Sequence, residues 1–249
     1  MTPRVLTVLI VSRGLEALLR TCLESLHRAL ATSGAVDRHR VVVVDNASPT
    51  PYQRDRLGDP PPHLLRLDLH GSFARANNLA AERFPGDAYL LLNNDVLLAP
   101  AALRCALGLF ERVRGAGICG SRLVFPDGSV QHRGVVFGAR ERGPYHRDRG
   151  RPGALVPREN REWQAVTGAC MLVDAALWQE LGGLDEAYPF GLEDIDFCLR
   201  ARAQGRRVIC CEDVDSLHFE SMTEGREALD RPSRRLFMER WGGRYAIDG

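Results

Sequence analysis

Leu90-Leu91-Leu92-Asn93-Asn94-Asp95 is an apolar run that stops abruptly on three polar residues. A short run without polar alternation reads as a strand covered on both faces, the habit of parallel strands in α/β sheets. The same pattern stands upstream in Val41-Val42-Val43-Val44-Asp45-Asn46-Ala47-Ser48. Working outward, strands are expected over Val5–Val11, Arg40–Val44, Leu64–Leu67 and Ala88–Leu92. Between them, Leu18, Leu19, Cys22, Leu23, Leu26 and Leu30 recur at helical spacing, Phe73–Arg83 offers a second helix, and Pro100 opens a third that runs to about Arg112. Strands alternating with helices predict an α/β fold with a mainly parallel central sheet flanked by helices.

After residue 115 the rhythm changes. Strands are expected over Ile118–Phe125 and Ser129–Phe137, joined by the Pro126-Asp127-Gly128 turn. Residues 140–162, rich in Arg, Gly and Pro and without periodicity, read as a mobile loop. A strand over Ala165–Val173, helices near Ala175–Leu181 and Leu192–Gln204, a strand over Arg207–Cys211 and an amphipathic stretch near Arg226–Trp241 complete the pattern.

Composition narrows the function classes. The 249 residues carry a formal net charge of +1, so nothing draws the whole chain to nucleic acid or to a membrane surface. All 33 basic residues are Arg, which excludes lysine chemistry. Seven Cys, none in a C-x-x-C pair, suit a reduced, cytoplasmic chain. The Val5–Val11 run is far short of the ~20 residues that span a bilayer.

Ligands of open parallel sheets bind beyond the carboxyl ends of the strands, which directs attention to three acidic clusters. Asp45 offers an acceptor for a base or ribose, or else caps a turn. Asp95 could hold a hard divalent cation bridging two phosphates, or cap the helix opened by Pro100. Glu193-Asp194-Ile195-Asp196 starts a helix whose dipole favours acids, and Asp196 can pair with Arg200 one turn on. After the aromatic turn Tyr188-Pro189-Phe190-Gly191, one of these carboxylates could serve as a general base. His218, alone in its segment, would join a cation site only if it converged with Asp95; mixed oxygen and imidazole ligation suits Mn²⁺ as well as Mg²⁺.

In this order, Cys22-Leu-Glu-Ser-Leu26, Val44-Asp-Asn-Ala-Ser48, Phe73-Ala-Arg-Ala-Asn-Asn78, Leu92-Asn-Asn-Asp95, Thr167-Gly-Ala-Cys-Met-Leu172, Gly182-Gly-Leu-Asp-Glu186, Glu193-Asp-Ile-Asp196 and His218 resemble the family 2 inverting glycosyltransferases of the GT-A fold. The likeness is greatest to bacterial, rhamnosyltransferase-like members that build cell-surface glycans, and it covers nearly the whole chain. It implies one GT-A domain over 1–249, with a nucleotide-binding half (1–115) and an acceptor-binding, catalytic half (116–249). It further implies a UDP- or dTDP-linked sugar donor, a divalent cation (Mn²⁺ or Mg²⁺), and a glycan, lipid-linked or small-molecule acceptor reached in the cytoplasm or at the inner face of the membrane.

By the same resemblance Asp45 contacts the base, Asp95 and His218 hold the metal, and Asp194 is the catalytic base. Glu193 orients the acceptor, and Trp163, Thr167 and Gly168 line the sugar and acceptor pocket. Val11, Ser12, Arg13, Arg75, Asn78 and Asn94 complete the expected nucleotide contacts. The chain departs from the family where Ser12-Arg13 replaces a common Tyr-Asn pair, where His70 and Ser72 replace Asn and Gly, and where Asn93 replaces the first Asp of D-x-D. A nucleotidyltransferase would need a phosphate-binding Lys, and a Rossmann dehydrogenase a G-x-G-x-x-G after the first strand; neither is present. A degenerate, non-catalytic sugar-nucleotide module is the remaining alternative. The Arg-rich loop is expected either to be solvated surface or to close as a lid over phosphate.

Overall fold

The computed structural model describes residues 5–34, 38–138, 143–220 and 226–249, with residues 226–230 described by backbone alone. β1 (Leu6–Ser12), α1 (Glu16–Ser33), β2 (His39–Asn46), β3 (His63–Leu67), α2 (Phe73–Arg83) and β4 (Ala88–Leu92) form the alternating first part. The strands lie in the order β3-β2-β1-β4, all parallel. Their apolar runs divide by alternate residues between two cores. Leu9, Val42, Val44, Tyr89 and Leu91 face one side, while Val8, Ile10, Val43, Leu90 and Leu92 face the other, where α1 packs. Covering both faces accounts for the absence of polar alternation in the sequence.

The chain continues through β5 (Val96–Leu97), α3 (Ala102–Arg112), β6 (Ala116–Val124), β7 (Val130–His132), β8 (Val135–Phe137), β9 (Pro144–His146), β10 (Arg161–Glu162), β11 (Cys170–Asp174), α4 (Ala175–Glu180), α5 (Glu193–Ala203), β12 (Arg207–His218) and α6 (Arg226–Trp241). The sheet runs on without a break as β4-β11-β6-β12-β10. β11 is antiparallel to both β4 and β6, whereas β6 and β12 are parallel, so the sheet is mixed outside its first four strands.

Three expectations change. The strand foreseen over Ser129–Phe137 divides into β7 and β8 at Gly134, whose φ of 138° and closeness to the Trp163 ring leave no room for a side chain. β12 runs seven residues past Cys211, across a register shift, to reach His218. The stretch read as a mobile loop is held in place over its described residues, 143–162. Fully buried Arg122 donates to the Gly153 and Val156 carbonyls at 2.9 and 3.2 Å and pairs with Glu212 at 3.4 Å. Arg133 bridges Glu212 and Asp148. These ion pairs join distant segments, so no local pattern announces them; residues 140–142 lie outside the described part.

Candidate active site

The site forms where β4 ends. Asn93 N–H donates to the Ala169 carbonyl at 2.8 Å, and Val96 N–H returns to the Asn93 carbonyl, which turns the chain into β5. β5 pairs antiparallel with the end of β12, setting Val96 opposite His218, and Phe219 N–H donates to the Asp95 carbonyl. This two-residue ladder brings His218 Nε2 to 3.2 Å from Asp95 Oδ1. Both residues are buried, at 4% and 7% exposure. Yet Asp95 Oδ1 and His218 Nδ1 have no hydrogen-bond partner among the described residues. A buried carboxylate oxygen without a donor is costly, and a divalent cation between the two side chains would remove that cost. Their donor set, one carboxylate and one imidazole, fits Mn²⁺ or Mg²⁺. No group of three or more His, Cys, Asp or Glu forms a closed cage among the described residues, so phosphate oxygens and water would have to complete the shell.

Beside this turn stand the tips of β1 and β2. Asp45 is fully buried and accepts from Ser48 N–H at 2.9 Å, Tyr52 N–H at 3.2 Å and Arg66 at 2.5 Å. Burial alone would raise its pKa; the Ser48, Arg66 and Tyr52 donors outweigh that and hold the carboxyl below its usual range. The turn role weighed from sequence is therefore filled by this residue. Ser12 is buried between Asn94 Nδ2 at 2.8 Å and the Tyr52 hydroxyl at 2.7 Å, while Val11 is half-buried and Arg13 exposed. Arg75 is 3.8 Å from Glu186 and largely exposed. Asn78 is taken up at both ends of its amide: Oδ1 accepts from Leu184 N–H and Nδ2 donates to the Leu184 carbonyl and Glu186.

The third component is the start of α5, which has no side-chain cap on the preceding Leu192. Asp194 fills that role, accepting from Ile195 N–H at 2.8 Å and Gly168 N–H at 2.7 Å. Burial raises its pKa, opposed by these two donors. Glu193, next to it, is buried with Oε2 unpartnered; burial, then the charge of Asp194, push its pKa up to about 8. Of the two carboxyls, Asp194 has the donors that favour a carboxylate while Glu193 Oε2 has none, so Glu193 is the one that holds a proton more firmly. Asp196 is structural, bonding Arg200 at 2.7 Å as its spacing suggests and the Trp241 indole N–H at 2.8 Å, which fastens α6 to α5.

Thr167-Gly168-Ala169 ties these parts together, since Gly168 N–H binds Asp194 while the Ala169 carbonyl binds Asn93. A Cβ on Gly168 would stand 3.2 Å from Asp194 Cβ. Behind the strip, buried His132 accepts from Thr167 N–H through Nε2 at 3.3 Å and meets His146 at 2.7 Å. Burial, and after it His146, hold the His132 pKa well below the usual value, so the ring is neutral. Trp163 lies in the core at 3% exposure, against Gly134 and beneath the Arg161 guanidinium. Tyr52, Arg66 and His132 escaped sequence reading. The Val43-Val44-Asp45 strand tip hints at a partnered carboxylate, but nothing local names its partners.

The family profile described as "Glycosyltransferase like family 2" matches residues 3–237. The chain belongs to that family. It is 30% identical over 243 residues to the O-antigen biosynthesis protein RfbC of Myxococcus xanthus, covering 92% of this chain and 18% of that protein. To the N-acetylglucosaminyl-diphospho-decaprenol L-rhamnosyltransferase of Mycobacterium tuberculosis it is 28% identical over 160 residues, 59% of this chain and 52% of that one. The chain thus spans well under two thirds of either relative's length. Among solved structures, the mannosyltransferase PcManGT of Pyrobaculum calidifontis with GDP-Man and Mn²⁺ superposes with a TM-score of 0.64 at 18% identity, over 94% of this chain and 61% of that one. GalNAc-T7 with UDP, GalNAc and Mn²⁺ gives 0.66 at 13%, over 87% and 44%. At such identities the likeness establishes the GT-A fold, as the sequence resemblance implied.

Proposed function

We propose that this family 2 chain is a metal-dependent, inverting glycosyltransferase that moves a sugar from a nucleotide diphosphate to an acceptor hydroxyl in glycan assembly. The observation that carries the reading is the convergence of His218 Nε2 on Asp95 Oδ1, a buried oxygen without a hydrogen-bond donor among the described residues, at a turn tied through Asn93 and the Thr167–Ala169 strip to Asp194. Solved structures of the same fold hold Mn²⁺ with GDP-Man or UDP, and named relatives act in O-antigen biosynthesis and rhamnosyl transfer; these support a nucleotide-diphosphate sugar donor and a glycan or lipid-linked acceptor, and the choice of a UDP- or dTDP-linked donor is what the sequence resemblance implies. Among the described residues no helix is long and apolar enough to cross a membrane.

Bound between Asp95 and His218, the cation would neutralise the charge gathering on the departing diphosphate. The remaining steps belong to the protein. Asp45, clamped by Ser48, Tyr52 and Arg66, shapes the wall against which the base rests. Asp194 takes the proton of the acceptor hydroxyl. That oxygen bonds to the anomeric carbon as the carbon's bond to the diphosphate oxygen breaks, and the configuration inverts. Protonated Glu193 donates a hydrogen bond to the acceptor and adds no second negative charge beside the base. Thr167 and Gly168 hold Asp194 in line. The test is Asp194→Asn, assayed for nucleotide release from UDP- and dTDP-linked sugars with Mn²⁺. A fall of roughly 100-fold or more with nucleotide binding retained is expected of a lost general base. Undiminished turnover would remove Asp194 from the mechanism.

A further inference from the structure

Tyr52 lies outside every role assigned above except through its backbone, and its side chain reaches into the site. Its backbone N–H binds Asp45, and its hydroxyl, buried at the tip of β1, contacts the Gly14 carbonyl, Ser12 Oγ and the Ser48 hydroxyl. Burial raises the Tyr52 pKa above the usual tyrosine value, so the hydroxyl keeps its proton. The direction of the chain then follows by elimination. A carbonyl only accepts, so Tyr52 spends its single proton on Gly14. In its contacts with Ser12 and Ser48, each serine must therefore donate, and Ser48 Oγ can do so while it accepts from Gly14 N–H. Having spent its proton, Ser12 Oγ can only accept from Asn94, which presents Nδ2 to it at 2.8 Å. Asn94, next to Asp95, is left with its carbonyl oxygen at the opposite end of the amide.

We propose that Tyr52 is a positioning residue for the cation turn: through Ser12 it fixes the amide of Asn94, the residue before Asp95, with Nδ2 on Ser12 and the oxygen, not the NH₂, at the end turned away from β1. This rests on the functional reading above. An oxygen there accepts from the hydrated cation or from the nucleotide it carries; an NH₂ would set a positive dipole end against the ion. Removing the Tyr52 hydroxyl frees the Ser12 proton to turn toward Asn94, and the amide then gains by rotating its oxygen to Ser12. The base side and the cation side of the site are thereby joined by one hydrogen-bond chain, Asn94 to Ser12 to Tyr52 to Gly14.

Two measurements test this. Calorimetric titration of Mn²⁺ into the protein with UDP or dTDP should show roughly tenfold weaker binding for Tyr52→Phe, the size of one lost hydrogen bond to a charged partner. Thermal unfolding without ligand supplies the second. Asn94→Asp sets a carboxylate against the lone pair of Ser12 and should lower Tm in the unaltered protein. In the Tyr52→Phe background, where Ser12 can donate to it, the same change should cost little or raise Tm. Strictly additive Tm effects would overturn the relay whatever the protein binds. Coupled effects with unchanged Mn²⁺ affinity would overturn its role at the cation turn. Absence of Mn²⁺-dependent nucleotide binding in the unaltered protein would instead overturn the functional reading, and with it any ligand role for Tyr52.

Discussion

Glu193 makes the stability of the fold depend on pH in a direction opposite to that of most surface acids. Its pKa rises from the ordinary 4.5 to about 8, first because the carboxyl is buried and second because Asp194 stands beside it charged. Below about pH 4.5 folded and unfolded chains both hold the proton, and the preference of the fold for the neutral acid is fully present. As pH rises the unfolded chain ionises while the folded one does not, and stability falls until the pH passes about 8. At about 1.4 kcal/mol for each tenfold in proton affinity, the span amounts to about 5 kcal/mol as an upper bound, shared with Asp194. Against a total of ~5–15 kcal/mol for a domain this is large. Glu193→Gln keeps the size and a donor but cannot ionise. Urea unfolding at about pH 5, 7 and 9 should show the unaltered protein losing stability relative to the variant by several kcal/mol across that range. A constant difference between the two proteins would refute a protonated Glu193.

Glu212→Ala would leave Arg122 and Arg133 buried without their shared carboxylate, and a cost of about 3–5 kcal/mol is expected, seen as a lowered Tm and as new proteolytic cleavage within residues 143–160. An unchanged Tm would show that the network does not hold that segment. Gly168→Ala should cut transfer by roughly tenfold or more with little loss of Tm, because the new methyl presses on Asp194 Cβ and on Phe73, 3.5 Å away. Equal losses of stability and rate would point to simple misfolding of the strip.

The first four strands were legible because Val41–Val44 and Leu90–Leu92 are too apolar and too short for anything but doubly covered strands. The direction of β11 was not, since an apolar run such as Cys170–Val173 carries no sign of which way its neighbours point. Asp95 and Asp194 stood out as acids after a strand and at a helix start. What joined them to the rest was long-range: a two-residue β5 that pairs with the far end of β12 to deliver His218, and a strip, Thr167–Ala169, that bonds in two directions. The Arg-rich segment misled for the same reason. Its anchors, Arg122 and Arg133 upstream and Glu212 and Asp215 downstream, reach Gly153, Val156, Asp148 and Arg158 only through folding.

The central claim is that Asp95 and His218 together hold a cation that carries the nucleotide diphosphate. Titrating UDP, dTDP and GDP into the protein with and without Mn²⁺, and repeating this for Asp95→Ala and His218→Ala, measures it most directly. Binding of at least one nucleotide that requires Mn²⁺ in the unaltered protein, and its loss in both variants, is the predicted result. Binding that ignores Mn²⁺, or that survives in Asp95→Ala, would contradict it.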